Sequence, residues 1–237
     1  WLADHTIAGT VLLPGTAVLE LAIVAAQHLG LAAVRELTLE QPISLSREQV
    51  VSLQLKAAGA GPDGARKLEL YSRVQEGPWL RHASAVLARA SAAQATLAEL
   101  RSWPPAGAQA EDLAGFYGRL SEHGMSYGPA FQGLCELWRS AERVYGRVLA
   151  PEAVRGSADQ YALQPALLDA ALHTLLSGAV LAPGEVLLPF AWNGVELYAP
   201  GACELRVALE VTRAAGEDQD GGSVSVWIAD GAGEPVA

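Results

Sequence analysis

A chain of 237 residues that is 51% apolar and only 18% charged carries enough apolar surface for a large buried core, which excludes disorder as a global description. Its 16 basic and 26 acidic side chains sum to −10, and the basic ones are scattered, so no nucleic-acid partner is expected. The longest apolar stretch, residues 11–29, contains Glu20, Gln27 and His28 and is led by Pro14-Gly15, so no membrane span is expected.

Residue 1 is Trp, with no basic segment ahead of an apolar run, which reads as a piece of a longer chain without a signal peptide. Cys135 and Cys203 are too few and too far apart for a disulfide framework or a CxxC metal site. They fit a reducing, cytoplasmic location.

His5 opens the run HTIAGTVLLPG, followed by Gly9 and Pro14. Residues 14–29 are apolar nearly all round, with proline at the start and Gly30 just past the end, so a buried helix is predicted there. Period-2 alternation then predicts half-buried antiparallel strands around Val51, Leu53 and Leu55 and around Leu68, Leu70, Ser72 and Val74. Residues 34–45 and 79–89 read the same way less cleanly.

Residues 92–111 lose the alternation and contain Pro104-Pro105 and Gly107, so they read as a linker between an N-terminal half, 1–91, and a C-terminal half, 112–237. In the second half the pattern predicts a short helix over 112–123, an extended stretch through Val148 and an apolar helix over 165–177. Strands follow over 187–198, 203–211 and 223–229. Each half thus offers one apolar helix and several strands. The expected fold class is α+β: two long buried helices, each wrapped by a curved antiparallel sheet, the two sheets pairing side by side.

Asp169 and His173 are the only ionisable residues in the apolar helix PALLDAALHTLL, and their i,i+4 spacing puts them on one face. Desolvation suits the carboxyl to a general acid, with His173 orienting it by a hydrogen bond. The competing reading of Asp169 is a carboxylate that complements the helix N-terminus. His5, beside a glycine that permits close backbone approach, suits a general base, against the plainer reading of a satisfied polar residue. If the two halves are alike, His5 and Asp169 meet across their interface as one base and one acid.

Two motif look-alikes fail on context. Gly59, Gly61 and Gly64 match GxGxxG, but an extended segment follows where a helix is required, so GAGPDG is a hairpin turn. Ser126 in GMSYG matches a nucleophile elbow, yet a helix precedes it and Pro129 stands where the nucleophile helix should begin. His28, His82 and His123 lack metal-ligand spacing.

Taken together and in order, HTIAGTVLLPGTA, YGPAF, LLDAALH and LPFAW resemble the dehydratase domain of modular type I polyketide synthases. The resemblance covers nearly the whole chain. It implies a double hotdog fold that removes water from a 3-hydroxyacyl chain carried on the phosphopantetheine arm of an acyl carrier protein, with no metal or other cofactor. By position it implies His5 as the base at C2 and Asp169 as the acid at the C3 hydroxyl. It implies that the Gly9 amide faces the thioester carbonyl, that Tyr127 and His173 contact substrate, and that Leu188, Pro189, Phe190 and Trp192 support the tunnel.

Gln164 departs from the histidine many relatives carry before Pro165, which is expected to alter hydrogen bonding near the acid. By the resemblance, a strand upstream of WLADH and the end of the last strand past EPVA are expected to be lacking here, leaving the fold intact with altered edges. The implied partners are the carrier protein and neighbouring synthase domains, docked weakly and helped by tethering, with pairing to a second copy left open. Three rival outcomes remain at this level: double-bond migration, ether-ring closure, and a non-catalytic acyl-binding scaffold.

Overall fold

Pro14 and Gly30 delimit the first long helix, α1 (Gly15–His28). Gly30 takes φ +69°, its N–H bonds to Gln27 O and the Leu31 N–H to Ala26 O, the paired bonds of a Schellman end. Two short helices follow, α2 (Phe116–Glu122) and α3 (Glu152–Arg155), and then the second long one, α4 (Pro165–Leu176). Gln164 caps α4: its Oε1 accepts the Ala166 and Leu167 N–H groups at 2.5 and 3.1 Å, while Pro165 fills the first position. The computed structural model describes residues 1–91, 98–177, 188–213 and 222–237.

The strands are β1 (His5–Ile7), β2 (Thr10–Val11), β3 (Ala33–Leu39), β4 (Val51–Ala57), β5 (Arg66–Val74), β6 (Leu80–Ala88), β7 (Gln109–Glu111), β8 (Met125–Tyr127), β9 (Leu134–Arg139), β10 (Val144–Leu149), β11 (Ala191–Glu196), β12 (Glu204–Arg213) and β13 (Gly222–Asp230). One sheet has the order β11-β3-β6-β5-β4 and lies against α1; another, β13-β12-β10-β9-β7, lies against α4. Every pairing is antiparallel. The expected plan of two helices, each covered by its own sheet, is the observed one.

Small residues set how close the layers come. Ala22 and Ala26 on α1 and Ala166 and Ala170 on α4 are almost fully buried, and the two helices pack against each other and their sheets. Gly146 on β10 stands where a Cβ would collide with Thr174 Oγ1, and a Cβ on Gly133 would lie 3.2 Å from that of Ala170, so both glycines let α4 sit down on its sheet. Leu19, Leu87, Leu167 and Leu205 fill the joint core, each worth about 1.5–3 kcal/mol of burial.

Two sequence expectations are corrected. The five-stranded sheets do not pair with each other among the described residues; a third sheet, β2-β1-β8, joins the halves instead. In addition, β11 from the later part of the chain crosses over to pair with β3 in the first sheet. The expected linker 92–111 is in part structured. Residues 92–97 lie outside the described residues, but Ala98–Arg101 form a 3-10 turn and β7 pairs with β9. Leu100 and Trp103 from this strap pack with Tyr145, Trp138 and Trp227 on the outer face of the second sheet, a small apolar cluster that covers a face the periodicity assigns to solvent.

The short helix begins at Phe116 rather than 112, after Gly115 in a left-handed conformation. On the edge strand β4, Leu53 and Leu55 are 42% and 38% exposed, because α1 does not reach the end of the sheet.

Candidate active site

β1 and β8 run antiparallel with His5 opposite Tyr127, so the first histidine of the chain lies beside YGPAF from the other half. Asp4 secures the junction. Its carbonyl accepts the Gly128 N–H at 2.7 Å, and its Oδ2 accepts the Ala130 N–H at 2.9 Å. A Cβ at residue 128 would stand 2.5 Å from Asp4 Cγ, which explains the glycine of YGPAF.

His5 is buried against Tyr127 and Phe131, with ring centroids 5.7 and 5.2 Å away. Its Nδ1 lies 2.9 Å from Leu12 O. A carbonyl only accepts, so Nδ1 carries the hydrogen and, in the neutral ring, Nε2 presents a lone pair. That Nε2 is 3.9 Å from Asp169 Oδ2, near but too far for a hydrogen bond. The two residues singled out in sequence, 164 positions apart, meet in one buried site.

Asp169 is the fifth residue of α4, beyond the free N–H groups of the first turn, so complementing the helix terminus does not explain it. Its Oδ2 is hydrogen-bonded to His173 Nε2 at 3.1 Å, the i,i+4 contact expected. His173 is 2% exposed and lies against Tyr127, with centroids 4.1 Å apart. Burial, and then the Asp169 charge, push the Tyr127 hydroxyl well above its ordinary value, so it is a phenol at neutral pH. No hydrogen bond reaches that hydroxyl among the described residues.

Gly9 sits with Ala8 at the tip of the β1–β2 hairpin. Their φ values of +77° and +48° are those of a two-residue primed turn, which requires positive φ at both positions. Leu188 and Phe190 are 50% and 68% exposed. Phe190 contributes its carbonyl, accepting the Leu39 N–H at 2.9 Å.

Gln164 uses its carbonyl oxygen as the cap of α4, not as a contact to Asp169. GAGPDG closes the β4–β5 hairpin as a turn, and the Ser126 hydroxyl pairs with that of Ser121 at 2.9 Å. As expected, a helix, α2, precedes Ser126, which lies on the three-residue strand β8 and has no histidine partner among the described residues.

Sequence reasoning missed three polar residues that build the site: Asp4, Tyr117 and Glu20. The Tyr117 hydroxyl accepts the Leu134 N–H at 3.2 Å and lies 3.4 Å from Phe131 O and 3.5 Å from His173 Nδ1. Glu20, buried in α1, accepts the Ala162 and Leu163 N–H groups at 2.7 and 2.9 Å and so holds the loop leading to the Gln164 cap. Only Glu20 carried a signal, as a charge inside an otherwise apolar helix.

Two long helices, each covered by its own antiparallel sheet, with His5 of β1 buried beside Asp169 of α4, define a double hotdog fold. Residues 95–237 match the family model described as the polyketide synthase dehydratase N-terminal domain, and residues 1–73 match that of the polyketide synthase dehydratase domain. The chain belongs to the polyketide synthase dehydratase family, the hydro-lyases of polyketide assembly.

The whole chain aligns at 44% identity with polyketide synthase GfsA of Streptomyces halstedii, of which it spans only 3%. It superposes on a dehydratase of the borrelidin and fluvirucin polyketide synthases with a TM-score of 0.89 and 42% identity, covering 100% of this chain and 81% of that one. It is also similar to the bifunctional dehydratase-cyclase domain of ambruticin biosynthesis, with a TM-score of 0.89, 40% identity and coverage of 100% and 82%. Among the described residues no helix is long and apolar enough to cross a membrane.

Proposed function

We propose that this domain removes water from a 3-hydroxyacyl thioester held on the phosphopantetheine arm of an acyl carrier protein, giving the 2,3-unsaturated thioester. The observation that carries the reading is the 3.9 Å approach of His5 Nε2 to Asp169 Oδ2, with His5 Nδ1 bonded to Leu12 O. The hydrogen to be removed and the hydroxyl to be expelled sit on adjacent carbons. A base and an acid this close therefore serve both from one face of the chain.

His5 Nε2 takes the C2 proton and the C2–H electron pair becomes the C2–C3 π bond. The C3–O bond breaks, and the hydroxyl leaves as water with the proton of Asp169. Gly9, at the hairpin tip, offers its amide to the negative charge that develops on the thioester oxygen. Tyr127 offers the substrate its unpartnered phenol, and His173 steadies the acid. The chemistry asks only for an imidazole and a carboxyl, without metal or redox cofactor.

The substrate arrives tethered, so the carrier and the neighbouring synthase domains need only weak contacts with an acidic surface. Pairing with a second copy belongs to the same proposed setting. The experiment is turnover of a 3-hydroxyacyl thioester by His5→Ala and Asp169→Asn, each expected to lose roughly 10²- to 10⁴-fold. Near-normal rates in either variant refute the assignment. Mass and NMR analysis of products separates plain dehydration from ring closure, the second activity in the description of the ambruticin domain.

A further inference from the structure

One proton on Tyr117 decides how the acid is supported. The hydroxyl oxygen accepts the Leu134 N–H, and two acceptor positions lie within reach of its hydrogen: Phe131 O at 3.4 Å and His173 Nδ1 at 3.5 Å. If the hydrogen goes to His173 Nδ1, Phe131 O is left without a hydrogen bond among the described residues, in a residue that is fully buried. If it goes to Phe131 O, the second lone pair of Tyr117 receives a hydrogen from His173 Nδ1, and the Tyr117 hydroxyl, Phe131 O and His173 Nδ1 are all paired. Buried polar groups are overwhelmingly paired, so the second arrangement is favoured.

We propose that Tyr117 is a positioning residue that fixes His173 as the Nδ1–H tautomer, so that the neutral ring turns its bare Nε2 toward Asp169 Oδ2 and accepts the carboxyl proton. The inference rests on the acid role proposed for Asp169. A hydrogen bond that accepts from the protonated carboxyl favours the acid form, whereas one that donates to the carboxylate favours the anion. Tyr117 thus acts through His173 to keep Asp169 loaded with its proton until the hydroxyl departs. Burial holds Tyr117 itself well above its ordinary value, so it stays a phenol throughout.

Around the Asp169–His173 pair stand His5 from β1, Tyr127 from β8 and Tyr117 from α2, with Cys135 of β9 beside Tyr117. Tyr127 touches the ring through its face and supplies no hydrogen bond to either nitrogen. Tyr127→Phe therefore keeps this ring contact and leaves the tautomer untouched.

The test is ¹⁵N NMR of the histidine rings, with His173→Gln used to identify the His173 signal among the five. In the native protein, His173 should show a protonated Nδ1 and a bare Nε2. In Tyr117→Phe the Nδ1–H loses its acceptor, and the ring should convert to the Nε2–H tautomer. In Tyr127→Phe it should keep the native one. In kinetics, Tyr117→Phe should lower kcat on the order of 10-fold with little change in KM.

A native His173 bearing hydrogen on Nε2 alone overturns the inference without any variant. An unchanged tautomer in Tyr117→Phe does so as well. The tautomer is read without substrate, so this outcome is separate from normal turnover in Asp169→Asn, which refutes the acid role instead.

Discussion

Asp4 and Gly128 interlock across the junction of the two halves: the Asp4 carbonyl holds the Gly128 N–H at 2.7 Å, and its side chain occupies the space a Cβ at residue 128 would need. The neighbours of this pair are His5 and Tyr127, so the same contact that joins β1 to β8 sets the base against the YGPAF turn. Gly128 has φ −80°, a value open to any residue, so its lack of a side chain answers to space and not to backbone strain.

Gly128→Ala should therefore cost about 1–3 kcal/mol through overpacking alone. Asp4→Gly, which deletes the obstructing atoms and the acceptor of the Ala130 N–H, should cost about 1–2 kcal/mol. In the Asp4→Gly background the alanine at 128 finds room, and the double variant should be more stable than the sum of the single losses implies. Urea denaturation of the four proteins measures this coupling, and strictly additive losses would show that the two residues do not interlock.

Tyr127→Phe separates stability from activity. The hydroxyl it removes has no hydrogen-bond partner among the described residues, while the ring that stays supplies the packing on His173. Unfolding free energy should change by less than about 0.5 kcal/mol. If the phenol meets substrate, kcat/KM should fall by up to roughly 10-fold, the worth of about 0.5–1.5 kcal/mol of hydrogen bonding. A variant that loses stability but keeps kcat/KM would place the hydroxyl in a structural role.

The features legible in sequence are those set by local periodicity and by residue types out of place. Both long helices stand out because an all-round apolar run bounded by proline and glycine or by a capping residue has few other solutions. Asp169 and His173 stand out because charge inside such a run needs a reason. What the sequence hides is non-local. The pairing of β11 with β3 depends on which edge is free after the first sheet forms, and nothing within residues 191–196 records it. The strap with Leu100 and Trp103 looks like a linker because its partners, Tyr145, Trp138 and Trp227, come from three different strands. Tyr117 sits in a short amphipathic helix where an aromatic residue is unremarkable, and only its hydroxyl contacts give it meaning.

Glu20 offers a test of how the acid-bearing helix is held. Its two carboxylate oxygens each accept one backbone N–H, from Ala162 and Leu163, just before the Gln164 cap. Glutamine has one acceptor oxygen for these two donors, so Glu20→Gln leaves a buried N–H facing an NH₂ group and should lose about 1–3 kcal/mol. Burial raises the Glu20 carboxyl above its ordinary 4.5, with the two N–H bonds only partly opposing the shift. The folded protein therefore binds this proton more tightly than the unfolded chain does, and stability from Glu20 falls as pH rises from 4.5 through the raised folded value. The advantage of the native protein over Glu20→Gln should be largest at the acid end and shrink on going to neutral pH. Denaturant midpoints of both proteins from about pH 4 to about pH 8 check the sign, and an advantage that grows with pH would mean that the two N–H bonds outweigh desolvation.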